Sequence, residues 1–250
     1  MKITQVNDRV HMATGTNVNW ALVTDGDGVT LVDAGYPNDH KALFASLAHI
    51  GRRPEGVHAI VLTHAHLDHI GGIPAFRDRY PVPVFTGEEE ARHARREYVE
   101  QITPAQMLRQ CTRRAGRRWV GQTLRAVLPH LSMSVTDITG TSAGIPLDIP
   151  GGLVPIATPG HTRGHTAWLM PSTGVIFTGD ALVTDHPISN LDTGPQILPA
   201  VFNEDEQSML RSLQAISGLP ADTVVPGHGP HLRGDLADLM GRAVARATNR

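Results

Sequence analysis

The stretch from Thr63 to Gly72, with the sequence THAHLDHIGG, constrains this chain more than any other. Three histidines and one aspartate fall within six positions, from His64 to His69. Imidazole and carboxylate are ligands that borderline metals such as zinc prefer, and four of them on one loop need a cation to offset their crowding. Residues 59–62 are short, apolar and partly β-branched, which predicts a buried strand. We therefore expect a metal-binding loop at a strand end.

Three more histidine or aspartate turns follow predicted strands later in the chain. They are Pro159-Gly160-His161, Thr178-Gly179-Asp180 and Pro226-Gly227-His228. Each has a glycine beside the polar residue, which suits a tight turn. Because strand ends at one edge of a sandwich lie close together, turns that are distant in sequence can meet there and form one site.

The composition is that of a globular enzyme without a charged macromolecular partner. Hydrophobic residues make up 40% of the 250 residues and charged residues 18%, and a formal net charge of −2 gives no global attraction to nucleic acid or an anionic membrane. No segment approaches the roughly 20 apolar residues of a membrane span, and the N-terminus has no apolar run typical of a signal peptide. The single cysteine, Cys111, suits a reducing compartment. We expect a cytoplasmic protein that acts on a small molecule, with no nucleic-acid or membrane partner and with homo-oligomerisation left open.

Outside the metal loop, the pattern predicts alternating strands and helices. Strands are expected at 3–6, 10–13, 19–24, 28–32, 58–62, 82–85, 135–138, 153–158, 167–170, 175–178 and 223–225, and helices at 39–50, 70–79, 204–217 and 234–247. Residues 28–35 and 174–181 echo each other, since each is a β-branched run that ends with an aspartate among small residues. Two facing halves of this kind would form an αββα sandwich of the α/β (α+β) class, as a single domain over residues 1–250.

Residues 87–134 interrupt this rhythm with a helical insertion. Helices are expected at about 87–100, 104–115 and 118–129, with Pro104 starting the second and Gly116 ending it. The segment holds nine arginines against five glutamates. It is either a solvated insertion or a lid that binds substrate over the metal loop, and the sequence leaves both open.

As a set, the motifs resemble those of the metallo-β-lactamase superfamily, in the same order from Asp33 to His228. The resemblance implies an αββα sandwich with two divalent metal ions as cofactors, with zinc expected and iron or manganese as alternatives. One ion would be held by His64, His66, His161 and Asp180, and the other by Asp68, His69, His228 and Asp180. Asp180 would then bridge the two ions, and each site keeps room for a solvent ligand.

The activity that the resemblance implies is metal-dependent hydrolysis of an ester, thioester or lactone. A water shared by two cations loses a proton near neutral pH, because coordination lowers its pKa from about 16 to about 7, and the resulting hydroxide attacks the carbonyl carbon. Asp68 is the expected catalytic residue, because it can relay the hydroxide proton as well as bind metal. Asp33 and His165 are expected to orient ligands through hydrogen bonds, although each could be purely structural.

Details of the motifs narrow the branch without identifying the substrate. Asp68 together with a bridging Asp180 resembles the glyoxalase II and lactonase branch, and many true β-lactamases lack that bridging aspartate. Because only residues 229–250 follow His228, we do not expect the helical domain with which glyoxalase II holds glutathione. A sulfur (persulfide) dioxygenase with one iron, a β-lactam-hydrolysing enzyme and a non-catalytic metal-binding domain are the alternatives. Pocket candidates are Asn19, Trp20, Asp185 and His186, and Trp20 could equally lie in the core.

Overall fold

Two β-sheets, built from strands with apolar residues on both faces, form the centre of the computed structural model, which describes residues 1–248. In the first sheet the order is β1-β2-β3-β4-β5-β6-β7, with β1 Lys2–Gln5, β2 Val10–Thr14, β3 Asn19–Asp25, β4 Gly28–Val32, β5 Val57–Val61, β6 Val84–Gly87 and β7 Thr139–Thr141. In the second the order is β12-β11-β10-β9-β8, with β8 Val154–Ala157, β9 Thr166–Met170, β10 Val175–Gly179, β11 Thr223–Pro226 and β12 Leu232–Arg233. The domain boundary expected at residue 250 lies outside the described residues.

The helices lie between and after the strands. They are α1 His40–His49, α2 Leu67–Ile70, α3 Ile73–Arg77, α4 Glu88–Ala94, α5 Pro104–Gln110, α6 Arg114–Val127, α7 Glu206–Ile216 and α8 Leu236–Thr248. Local sequence explains several starts. Thr103 and Gln106 form a reciprocal capping box at α5, and the Asp205 side chain accepts the Ser208 N–H at α7. Among residues 1–248, no helix is long and apolar enough to cross a membrane.

Alternation along the strands divides the apolar residues into three cores. On β3, Trp20 and Leu22 belong to a core that also holds residues of α1 and α3, whereas Ala21 and Val23 face a core shared with the second sheet. The outer face of the second sheet packs against α7 and α8 in a third core. The layers are therefore helix, sheet, sheet and helix, and the predicted αββα sandwich is confirmed.

The echo between the two halves corresponds to a repeated strand pattern. In the first sheet β4 is antiparallel to β3 and parallel to β5, and in the second β10 is antiparallel to β9 and parallel to β11. Because β8 is also antiparallel to β9, it runs in the same direction as β10. The carboxyl ends of β4 and β5 therefore share one edge of their sheet, and those of β8, β10 and β11 share one edge of the other.

The insertion differs from the prediction in its helix boundaries. The first helix ends at Ala94 rather than near residue 100, and Gly116 lies inside α6 instead of ending a helix. A Cβ atom at Gly116 would lie 1.9 Å from the carbonyl oxygen of Gln110. This glycine is therefore a contact point between α5 and α6, which a sequence pattern cannot distinguish from a helix stop.

Two other predicted elements differ from the structure, and one strand was not predicted. Residues 135–138 are not a strand, because Val135 and Ile138 are buried by packing on the first core and pairing with β6 begins only at Thr139. The single helix expected at 70–79 is replaced by the short helices α2 and α3. Strand β12 was not predicted, since two residues are too few to show a period.

Candidate metal centre

The structure brings together the seven side chains that the sequence predicts as metal ligands. Each lies just beyond a strand: His64 and His66 in the loop after β5, Asp68 and His69 on α2, His161 after β8, Asp180 after β10 and His228 after β11. Their donor atoms form three overlapping groups within 4.8 Å, namely His64–His66–His161, His64–His69–Asp180 and Asp68–His69–His228. Ligands from both sheets therefore meet at one edge of the sandwich.

Three imidazoles form the first half of this cluster. His161 Nε2 lies 3.2 Å from His64 Nε2 and 3.0 Å from His66 Nδ1. Asp180 Oδ2 is 3.8 Å from His64 Nε2 and 3.5 Å from His161 Nε2. Three ring nitrogens thus lie together, with one carboxylate oxygen close to two of them. Three nitrogens and one oxygen are the ligand types and number of a tetrahedral zinc site.

The second half combines two imidazoles with a carboxylate. Asp68 Oδ2 lies 3.8 Å from His69 Nε2 and 3.6 Å from His228 Nε2. Asp180 again takes part, with Oδ1 3.5 Å from His69 Nε2 and Oδ2 3.1 Å from His228 Nε2. Asp180 therefore lies between the two halves, where one carboxylate could bind a cation on each side.

Each of the five histidines has its other ring nitrogen beside an oxygen atom outside the cluster. The pairs are His64 Nδ1 with Thr63 Oγ1 (3.1 Å), His66 Nε2 with Glu100 O (2.7 Å), His69 Nδ1 with Asp33 Oδ2 (2.8 Å), His161 Nδ1 with Asn203 Oδ1 (3.3 Å) and His228 Nδ1 with Asn17 O (2.6 Å). An N–H donated to these oxygens leaves a lone pair on the nitrogen that faces the centre. Such contacts fix the tautomer of a metal-binding histidine and its ring orientation.

Two atoms at the centre support the presence of a cation there. Within residues 1–248, His69 Nε2 and Asp180 Oδ1 are buried and have no hydrogen-bond partner. Leaving a buried polar group unpaired costs about 1–3 kcal/mol, and more for a charged group. A cation between the histidines and carboxylates would satisfy both atoms, so the residues present fit a pair of divalent ions that prefer nitrogen and oxygen ligands.

The neutral imidazole that binds a metal is most strongly favoured in the first group, His64, His66 and His161. Burial lowers the pKa of His64 and of His66 well below the ordinary value, and neighbouring imidazoles lower both further. Burial acts in the same direction on His69, but Asp180 and two other carboxylates outweigh it and raise the pKa of His69 to about 10. The second half is thus rich in negative charge, which a bound cation would offset in place of a proton.

Asp33 connects the end of β4 to the metal loop. Its carboxylate accepts the Thr63 N–H and the Thr63 hydroxyl, each at 2.8 Å, as well as the His69 Nδ1–H. Its φ of 61° lies in the left-handed region, which is uncommon outside glycine and frequent at functional sites. These contacts are those of a residue that orients a ligand, and no oxygen of Asp33 belongs to the ligand groups.

His165 stands behind Asp180 and contacts its backbone. The N–H of Asp180 donates to His165 Nε2 at 3.2 Å, and His165 Nδ1 lies 2.8 Å from the Thr158 hydroxyl. Burial lowers the pKa of His165 to about 3, so the ring is neutral. His165 therefore contacts the turn that carries Asp180.

Glu90 on α4 supports the group of His64, His66 and His161. This role of Glu90 was not predicted from the sequence. This fully buried carboxylate accepts the Ala65 N–H, the Thr162 hydroxyl and the His93 Nδ1–H, each at 2.7 Å. Ala65 separates the first two histidine ligands, and Thr162 follows His161 in the chain. The only sequence signal was a Glu and a His three residues apart in a predicted helix, a common pattern on solvated faces.

The first residues of β3 stabilise the turn that carries His228 and do not cover a pocket at the metal centre. Trp20 is 1% exposed and its Nε1–H donates to Ser46 Oγ, so the interpretation with Trp20 in the core is confirmed. The Asn19 amide donates to the carbonyls of Pro226 and Gly229. At Gly227, a Cβ atom would lie 2.1 Å from Asp180 Oδ1, so only glycine permits the close approach of this turn to Asp180.

A cavity of about 590 Å³ opens beside the metal centre. His66, Asp68, His161, Asp180 and His228 lie at its polar end. Residues between Val99 and Leu131 supply about half of its lining, and most of these are apolar. His186 also lines the cavity, with its ring 5.2 Å from His228 and 5.0 Å from Phe202, whereas Asp185 does not. The insertion thus forms one wall beside the candidate site.

Comparison with known proteins agrees with this fold. The family described as the metallo-beta-lactamase superfamily matches residues 13–228, and the chain belongs to it. A probable metallo-hydrolase of Bacillus subtilis (strain 168), YflN, is 29% identical over 243 residues, covering 88% of this chain and 84% of that protein. A hydroxyacylglutathione hydrolase of Enterobacter sp. (strain 638) is 24% identical over 209 residues, covering 84% of this chain but only 60% of that protein.

Solved structures show the same fold at low sequence identity. A metallo-beta-lactamase of Cronobacter sakazakii with a HARLDQ motif superposes with a TM-score of 0.70 at 19% identity, covering 100% of this chain and 93% of that one. A metallo-beta-lactamase family protein of Thermus thermophilus has a TM-score of 0.65 at 23% identity, covering 98% of this chain and 81% of that one. The chain therefore belongs to the metallo-beta-lactamase superfamily by sequence, and these structures share its fold.

Proposed function

We propose that this protein is a hydrolase that requires two divalent cations, zinc first among them, and cleaves an ester, thioester or lactone. One observation carries the proposal. Five imidazoles each contact an oxygen with one nitrogen, and their other nitrogens lie in ligand groups that also hold two carboxylates, beside a cavity. His64, His66, His161 and Asp180 would hold one cation, and Asp68, His69, His228 and Asp180 the other.

When bound, divalent cations polarise a carbonyl group and lower the pKa of water to about 7. Asp68 is the group best situated to handle the proton. Its carboxylate is partly exposed (17%), faces the second ligand group and also lines the cavity. It can therefore accept a proton from the attacking water while its other oxygen serves as a ligand.

The surrounding residues keep this arrangement in register. Asp33 orients His69, and His165 holds the backbone of Asp180. The apolar wall of the cavity keeps bulk water away from the reacting carbonyl, which strengthens electrostatic interactions there. These residues act through the ligands and do not touch the reacting atoms.

The main alternative is a sulfur dioxygenase with a single iron. The complete group of Asp68, His69 and His228 supports the two-cation hydrolase, because one iron would leave these three ligands unused. The similarity to probable metallo-hydrolases supports the same choice.

The test measures metal content and activity together. Protein purified without chelator is analysed by mass spectrometry for metals, and zinc-, manganese- and iron-loaded samples are assayed with esters, thioesters and lactones. The expected result is two ions per chain and hydrolysis without oxygen uptake. One iron per chain, with oxygen consumed in the presence of a persulfide, would contradict the proposal.

A further inference from the structure

We infer that the substrate carries an uncharged apolar chain, which lies along the insertion while its carbonyl faces the metal centre. The inference rests on the proposed hydrolase activity and adds the class of substrate. The cavity has a polar end formed by the candidate ligands and a long apolar wall. Its volume of about 590 Å³ is within the range of small-molecule sites, roughly 300–1,000 Å³.

Helices α5 and α6 form the apolar wall. Met107 on α5 and Leu124 and Val127 on α6 line the cavity, and so do Ile102 and Leu131 from the segments that flank the two helices. Leu124 and Leu131 are 39% and 59% exposed, so their apolar surface is available for a ligand. Exposed large apolar side chains that gather at a cavity mark a binding site better than scattered ones.

Within residues 1–248, and apart from the candidate metal centre, the cavity offers no positively charged lysine or arginine side chain to a substrate carboxylate. Among the described residues that line it there is no lysine or arginine. Several arginines of the insertion have other partners: Arg96 donates to the carbonyls of Met133 and Ala65, Arg113 to Asn190 and Arg117 to the carbonyl of Cys111. Although the insertion is basic, none of its arginines is among the described residues that line the cavity.

This distribution separates candidate substrates by charge. Glutathione thioesters carry two carboxylates and β-lactams one, and proteins recognise such groups with arginine or lysine. A carboxylate against the α5–α6 wall would lose hydration without a partner. A neutral acyl or alkyl chain has no charged group to dehydrate there, and each methylene removed from water favours binding.

The first experiment varies chain length and charge separately. Zinc-loaded protein is assayed with nitrophenyl esters from acetyl to decanoyl, with acetate esters of alcohols from ethanol to decanol, and with the half-ester of decanedioic acid. In at least one neutral series kcat/KM should rise about fourfold for each added methylene until the cavity is filled. The half-ester should be at least about tenfold poorer than the decanoyl ester. Equal kcat/KM across both neutral series would overturn the inference.

Two lysine substitutions on one helix provide the matched variants. Met107→Lys introduces a cation into the wall at a half-buried position, whereas Leu108→Lys lies outside the lining at a residue that is 71% exposed. Met107→Lys should lower kcat/KM for the decanoyl ester and raise it for the half-ester, reversing the preference. Leu108→Lys should change neither. Identical behaviour of the two variants would count against a chain lying on α5.

Binding of a compound that cannot be hydrolysed separates this inference from the proposed function. Methyl ketones from 2-pentanone to 2-undecanone are neutral, and calorimetry measures their affinity without turnover. If no ester, thioester or lactone is cleaved but affinity rises with ketone length and falls in Met107→Lys, the hydrolase proposal fails and the apolar site stands. If neither cleavage nor length-dependent binding is seen, both are wrong.

Discussion

The Asp68 side chain has two proposed roles, as a metal ligand and as a proton acceptor. The carboxylate faces His69 and His228 within the second ligand group, and it also lines the cavity. Asp33, by contrast, is buried behind His69 and bonded to Thr63. Substituting each aspartate by asparagine therefore separates a group at the reaction from a group that only orients a ligand.

Asp68→Asn should lower turnover by about 10²–10⁴-fold, the usual range for a lost acid–base group, and should weaken the second cation site. Asp33→Asn leaves all seven candidate ligands in place, so both ions should remain bound and turnover should fall only about 10–100-fold. The measurement is metal content and kcat of both variants on the same substrate. Full activity with both ions retained in Asp68→Asn would refute the proposed role.

Glu90 offers a second test at the level of one residue. Glu90→Gln keeps the side-chain size but removes the charge and replaces one acceptor oxygen with a donor group, so the bonds that Glu90 accepts from Ala65, Thr162 and His93 must rearrange. We expect affinity for the ion at His64, His66 and His161 to fall about 10–100-fold, measured by competition with a chelator.

The matched control for Glu90→Gln lies next to it on the same helix. Glu89 is exposed and pairs with Arg92 at the surface, where such pairs contribute little. Glu89→Gln should leave the metal affinity unchanged. If the two variants bind metal equally well, Glu90 does not position the ligands.

His165 gives the folded protein a defined pH dependence. Its pKa is about 3 in the fold and 6.5 in the unfolded chain. Between these values the unfolded chain binds a proton that the folded chain does not, so stability falls as pH falls, by about 1 kcal/mol per pH unit. Between about pH 7 and about pH 5, the free energy of unfolding of the metal-free native chain should fall by about 2 kcal/mol more than that of His165→Gln. Denaturant unfolding at the two pH values measures this difference. Equal losses would exclude this assignment.

At the scale of elements, sequence predicts what is local and apolar. Strands such as Gly28–Val32 were predicted because they are short apolar runs, and both faces of this strand are indeed buried. The histidine turns were predicted because each follows such a strand. The contacts of Glu90 with Ala65 and Thr162 span 25 and 72 residues, so no local pattern contains them. Strand β7 was misplaced for the same reason, since the burial of Val135 comes from packing and not from strand pairing.

The junction between α5 and α6 can be tested with two glycines of one helix. A Cβ atom at Gly116 would lie 1.9 Å from the Gln110 carbonyl oxygen, whereas nothing lies within 4 Å of a Cβ at Gly121. Gly116→Ala should therefore destabilise the protein by about 1–3 kcal/mol through overpacking. Gly121→Ala should stabilise it by about 0.5–1 kcal/mol through helix propensity. The free energy of unfolding measures both, and the same sign in the two variants would contradict the junction.

At the scale of the whole molecule, the candidate metal centre joins the two halves of the sandwich. The first sheet carries His64, His66, Asp68 and His69 at its edge, and the second carries His161, Asp180 and His228. Besides the core between the sheets, this cluster brings side chains of both halves together. A cation bound there contacts ligands that are close together only in the folded chain, so metal binding should be coupled to global stability.

Removing the metal should therefore lower the melting temperature of the entire protein. A ligand that binds only the folded state at about 100 times its Kd stabilises it by about 2.7 kcal/mol, and each kcal/mol shifts the Tm of a chain this long by about 2–4 °C. We expect chelation to lower Tm by about 5–10 °C for each site emptied, and added zinc to restore it. Asp68→Asn disturbs one ligand group only, so its response to zinc should be smaller than that of the native chain. Metal analysis should show full occupancy before chelation and none after it. Binding that is confined to the folded state must stabilise that state. An unchanged Tm would therefore mean that metal binding does not depend on the folded arrangement of the two sheets.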